Sequence, residues 1–156
     1  MVKTGSSRSA VLARSALAGI GGTVVMTAFQ RLVEIPMTGR ADSYAPAVLV
    51  ETVFRVDPQD PTTRRRLNNA THYTLGLMWG AAYGVAANAG LRGPRAVAAV
   101  FGAVYAGDVL LNTALRTYRP TEWSRQDWTV DVIDKLVQAS ATSVIFDRML
   151  DPAAPH

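Results

Sequence analysis

Apolar positions along the chain fall into long runs separated by short polar blocks. Between Arg14 and Arg31, between Arg66 and Arg92, and between Arg95 and Arg116, the ionisable side chains are His72 and Asp108 alone. A helix needs about 20 predominantly apolar residues to cross roughly 30 Å of hydrocarbon. The pattern therefore predicts membrane spans at about 10–33, 69–91 and 94–115, and a weaker fourth at about 129–150. In the fourth only residues 136–146 are free of charge, and Asp131, Asp134 and Lys135 occupy its first turns. Asp131 and Lys135 stand four apart and can pair on one face. A helix lying outside the membrane against three spans is the alternative for this segment.

Local signals punctuate the runs. Pro36 and Gly39 predict a break after the first span. The long loop 34–68 contains "APAVLVETVFRV", whose Val48, Val50, Val53, Phe54 and Val56 suit a short interfacial helix. In "DPTT", Asp60 reads as an N-cap and Pro61 as the first helical residue. "LRGP" is a short turn, so the third helix returns antiparallel beside the second. "TYRPTEWSRQDW" has the aromatic and basic mixture of a membrane interface, and Ser124 with Asp127 resembles a capping box. The final "DPAAPH" reads as a frayed tail.

Composition refines this picture without changing it. At 156 residues the chain suits one helical membrane domain, 1–156, and 49% hydrophobic residues is ordinary only as an average. The net charge of +4 comes mostly from arginines between the apolar runs, as in "TTRRRLNN". No aromatic residue interleaves with the arginines of this block. They read as headgroup contacts and orientation signals, not as a nucleic-acid patch. Their distribution leaves the orientation open. The absence of cysteine excludes disulfides, thiolate metal sites and cysteine nucleophiles. The N-terminus has a basic start and an apolar middle, but residues 15–30 exceed a usual signal core and no small-residue cleavage site follows, so a retained span is expected.

Small residues recur every four positions. The second span has Gly76, Gly80 and Gly84 in "GLMWGAAYG", the first Ser15, Gly19, Thr23 and Thr27, the third Ala98, Gly102 and Ala106. In lipid such ridges let helix backbones approach closely, and three of them predict a tight bundle. A phosphate-binding loop would need a preceding strand and a Lys or anion-facing turn, which are missing. The same row reaches His72 and Asn88, but these lie about 24 Å apart along the axis and cannot share a ligand.

The short turn at Arg92 and Gly93 fixes which depths match across the hairpin. Asp108 falls level with about Leu77, and Asn112 with Tyr73, so His72 is within a turn of Asn112. Tyr105, Asp108 and Asn112 share one face. With Lys135 they form a candidate polar intramembrane cluster, gathered on the side of the long loops. An ionisable group inside the membrane is costly, which makes Asp108 the most informative residue. It reads either as a proton or cation site assisted by His72 and Asn112, or as a protonated or paired group that fastens helices. No metal motif, nucleophile elbow or cofactor box accompanies it, and no catalytic residue or cofactor is expected.

"GIGGTVVMT", "HYTLGLMWGAAYG" and "DKLVQASATSVIFDRML" together resemble small bacterial inner-membrane proteins of the YagU type. The resemblance covers the spans and not the loops. It implies a four-span plasma-membrane bundle loosely associated with acid tolerance, and supplies no catalytic residue. Where the last helix of that family often carries a histidine, this chain shows residues such as Lys135 or Gln138.

Three functions follow as expectations. The first is a non-enzymatic packing or accessory module in a bacterial inner membrane, multi-pass, with the lipid bilayer and another copy or another membrane protein as partners. The second is a small transporter or proton-linked permeation unit centred on Asp108. The third is a soluble or peripheral all-α protein.

Overall fold

The computed structural model describes residues 7–151, and every regular element among them is helical. Five helices can be numbered in chain order. They are α1 (Arg8–Thr38), α2 (Ala45–Phe54), α3 (Pro61–Asn88), α4 (Gly93–Ala114) and α5 (Arg125–Ile145), the last extended by a wider turn over Phe146–Leu150. α1 and α4 are long and apolar enough to cross a membrane.

The starts and stops follow from a few residues. Ser7 caps α1, Asp60 Oδ2 accepts from the Thr63 amide at 2.8 Å to cap α3, and Ser124 and Asp127 form a full capping box at α5. α3 stops earlier than expected, at Asn88, because Gly90 takes a left-handed φ of 84°. The Leu91 amide then reaches back to the Ala86 carbonyl at 2.9 Å. α1 runs further than expected, straight past Pro36. A wider helical turn at Gln30–Glu34 precedes the proline and accommodates its missing N–H, and the helix ends at Gly39 with φ 68°. α4 ends on Arg116, whose φ of 59° does what glycine usually does. The Thr117 and Tyr118 amides then both donate to the Asn112 carbonyl.

α1 is the central helix. It packs antiparallel on α3 along the glycine row and on α5 over nearly its whole length. A side chain at Gly19 would strike the Gly76 carbonyl and Gly80 backbone, one at Gly80 the Ser15 carbonyl, and one at Gly84 the Ser15 hydroxyl. Backbone meets backbone there. The third small-residue ridge does not join this seam: Ala98, Gly102 and Ala106 are exposed, and the missing Cβ of Gly102 faces no atom. α4 instead packs through Ala96 and Val100, and its second half stands off from the other helices. α2 lies across the start of α3, held by Arg64 Nε to Glu51 Oε1 at 2.7 Å and by the Ala47 amide to Asn68 Oδ1 at 3.1 Å.

The interior combines an apolar core with buried small polar side chains, and many large apolar side chains face outward. Ser15, Thr23, Gln138, Thr142 and Ser143 are buried, whereas Leu17 (60% exposed), Val85 (64%) and Leu110 (70%) face outward. The larger buried side chains, Trp79, Tyr83 and Phe146, sit together about midway.

Candidate functional site

Where the second half of α4 stands off, a cavity of about 440 Å³ opens between α1, α3, α4 and α5 at the end that carries both long connections. Its floor is Trp79 and Gln138, and its rim includes Tyr44 and Tyr118. The wall is polar because each helix turns hydrophilic in this half: Gln30 and Glu34 from α1, Asn69 and His72 from α3, Asp108 and Asn112 from α4, and Asp131, Asp134 and Lys135 from α5.

Of the five expected cluster residues, four line this one cavity. Lys135 Nζ lies 3.8 Å from Asp108 Oδ2, so the lysine turns across to α4 and not along its own helix to Asp131. Asn112, only 2% exposed, donates from Nδ2 to Asp108 Oδ1 at 2.9 Å, and its Oδ1 accepts from the Thr117 hydroxyl at 2.7 Å. The residue that terminates α4 therefore also orients Asp108. His72 lines the cavity but bonds elsewhere, with Nε2 3.0 Å from Thr27 Oγ1. Tyr105 is not part of the wall; its ring stacks on Phe101 at 5.1 Å.

The expected cluster omits Asp134, which the structure buries to 7% exposure. Its Oδ2 accepts from Gln30 Nε2 at 2.6 Å, while Oδ1 has no hydrogen-bond partner. Asp108 Oδ2 has Lys135 as its neighbour, and the Asp131 carboxylate faces the Tyr105 hydroxyl. The spacing 131, 134, 135, 138 is one helical face, and that was the available signal. At the rim, burial beside Asp108 and Asp131 pushes the Tyr118 phenol well above its usual range, so it stays a neutral hydroxyl.

A second polar network closes the opposite end. Arg92 reaches Asp147 Oδ1 at 3.1 Å and Asp151 Oδ2 at 2.7 Å, and Arg14 reaches Asp151 Oδ1 at 3.2 Å. Asp147 Oδ2 accepts from the Tyr83 hydroxyl at 2.6 Å and the Gly93 amide at 2.9 Å. Asp151, expected in a frayed tail, is thus buried at 5% exposure, because two arginines converge on it; the rest of that tail, 152–156, lies outside the described residues. Tyr83 thus packs edge-on against Phe146 and also donates this hydrogen bond. A second cavity, of about 740 Å³, lies at this end between α4 and α5, lined by Arg92, Phe101, Leu136, Ser143 and Asp147 among others.

A cavity with paired and unpaired carboxylates at this depth can bind a polar solute or relay protons. No protein-family model, no curated protein and no solved structure matches this chain.

Proposed function

We propose that the chain is a multi-pass protein of a bacterial plasma membrane, with α1, α3, α4 and α5 as a four-helix bundle, acting as a small permeation or transport unit whose solute vestibule is the polar cavity. Support for the membrane comes from the inverted distribution of polarity, with Ser, Thr and Gln inside and Leu and Val outside. In water that arrangement would expose the apolar surface that drives folding; in lipid it does not. The observation that carries the transport reading is the Asp108–Lys135 pair lining a polar cavity inside the bundle. Charged groups inside a span pair or line a water-filled path, and mark ion or proton routes.

Proton flux into proteoliposomes holding a trapped pH dye tests the reading. Wild type is expected to conduct or exchange, and Asp108→Asn to lose about tenfold or more, the scale of a lost essential charge. Flux that is absent in both, or the same in both, excludes it. Carbonate extraction tests the membrane assignment independently, since an integral protein stays in the pellet.

A second reading, the packing or accessory module, draws on α4. Only 17% of its apolar stretch is buried, and Ala98, Gly102 and Ala106 face outward as a free close-packing surface. Crosslinking in membranes at low expression tests it; monomer alone at every crosslinker concentration excludes self-association.

A further inference from the structure

The charges in the cavity differ between depth and rim. Deep in the wall, Asp108, Asp131 and Asp134 face one ammonium, Lys135, and Lys135 is already engaged with Asp108. The arginines of the wall are elsewhere: Arg31 and Arg65 are exposed at the rim, and Arg40 pairs with Asp127 at 3.3 Å. The three deep carboxylates therefore outnumber the one deep ammonium, and the nearest other cation is Arg40, which acts on Asp134 and Glu34 and keeps Nη1 buried without a hydrogen bond.

A second observation points to a ligand. Asp134 is more than nine-tenths buried, lines the cavity, and keeps Oδ1 without a hydrogen-bond partner, while Asp131 beside it faces the Tyr105 hydroxyl. A buried acceptor left unmade is costly, so these carboxylates are stabilised by whatever brings them donors. A bare metal ion does not suit them, since no three carboxylate or histidine side chains among the described residues converge closely enough to hold one. A cavity of about 440 Å³ with separated acceptors suits a molecule whose donors are spaced apart.

We infer that the cavity takes a small organic cation, an amine or guanidine, whose N–H groups bond the free oxygen of Asp134 and the Asp131 carboxylate beside it while Lys135 holds Asp108. This names the solute class of the proposed vestibule and rests on that reading. Charge-assisted N–H bonds to carboxylate are the strong kind, and they supply selectivity over anions and neutral solutes of equal size.

The chain has no cysteine, so single-cysteine variants report one position each. Gly107 lines the cavity and a Cβ there meets no atom, so Gly107→Cys introduces a thiol without displacing anything. The full chain in liposomes is treated with a trimethylammonium methanethiosulfonate and with its sulfonate counterpart. The ratio of their rates is divided by the same ratio at the exposed loop position Thr121→Cys. Focusing by the uncompensated carboxylates is expected to favour the cationic reagent about tenfold. Putrescine should slow the reaction, while succinate and butanediol, of similar length, should not. Adding Asp131→Asn or Asp134→Asn should reduce both the preference and the protection. Protection by putrescine is read on the Gly107→Cys protein alone, so a substitution that fails to fold does not remove the test.

No modification by either reagent on folded protein would mean that the cavity is closed to water, and the transport reading falls together with this inference. Modification without cation preference, or protection by succinate or butanediol as good as by putrescine, overturns the organic cation alone and leaves the vestibule standing.

Discussion

At Gly80 a single added methyl group has nowhere to go. Built there, it meets the Ser15 carbonyl, and it lies 2.9 Å from the Cα atoms of both Ala16 and Gly19. Backbone on both sides prevents the rotamer adjustments that relieve most small overpacking. Gly80→Ala is therefore expected to lower stability by about 1–3 kcal/mol, despite the better helix propensity of alanine. Gly102 is the matched control on α4, where nothing lies within 4 Å, and Gly102→Ala is expected to be neutral or stabilising by up to about 1 kcal/mol. Thermal melts of the two variants in one detergent check this; equal shifts would show that the α1–α3 seam is not the close contact described. The two glycines look alike in sequence because each sits in a four-residue small ridge. Spacing identifies a ridge but not what lies against it: the ridges of α1 and α3 meet each other, and that of α4 faces outward. At His72 the depth argument was sound and the partner was not: matched depth along two helices leaves the rotation about each axis undetermined, and that rotation turned His72 toward Thr27.

Capping chemistry governs the elements. Its signals are local, so the starts of α3 and α5 could be read at Asp60–Pro61 and Ser124–Asp127. The course of α1 past Pro36 and the stop of α4 at Arg116 depend on a wider turn and on a left-handed non-glycine residue, and neither leaves a compositional mark. Hydrogen bonds from the Ser124 hydroxyl and amide, with Arg40 nearby, hold the Asp127 carboxyl below its usual range. A group whose pKa is lowered by folding contributes stability above its unfolded value and loses it as pH falls through the folded one. Asp127→Ala is thus expected to depress the melting temperature at neutral pH, with the difference from wild type shrinking as pH drops below about 4, the unperturbed aspartate value. A pH-independent difference would show that the charge of Asp127 does not matter to the cap. At the other end of α5, Arg92 joins Asp147 and Asp151 and covers the Phe146 ring at 4.7 Å. Arg92→Gln leaves two carboxylates short of a partner and should cost about 2 kcal/mol, the scale of a hydrogen bond to a charged group. Urea unfolding measures it; a cost near zero would mean that these pairs are surface contacts.

For the whole molecule, the ion pair of Arg14 with Asp151 decides more than local stability. It joins the first turns of α1 to the end of α5 at 3.2 Å, and Arg92 brings the α3–α4 turn to the same place. The loops 39–60 and 115–124 gather at the opposite end, around the cavity. If the four long helices cross the bilayer, both termini lie on one side and both long loops on the other. The apolar pattern alone left the number of crossings at three or four, because α5 carries Asp131, Asp134 and Lys135 in its first turns and does not read as a span. Its partners explain how it can be one: Gln30 and Asp108 take up two of these charges inside the bundle, and the third opens onto the cavity. Reporters that are active on only one side of the membrane, fused before residue 1 and after residue 156, are expected to agree, and one inserted near Gln59 to give the opposite signal. Opposite signals at the two termini would mean an odd number of crossings, place α5 outside the bilayer, and remove from the cavity the wall that carries Asp131 and Asp134.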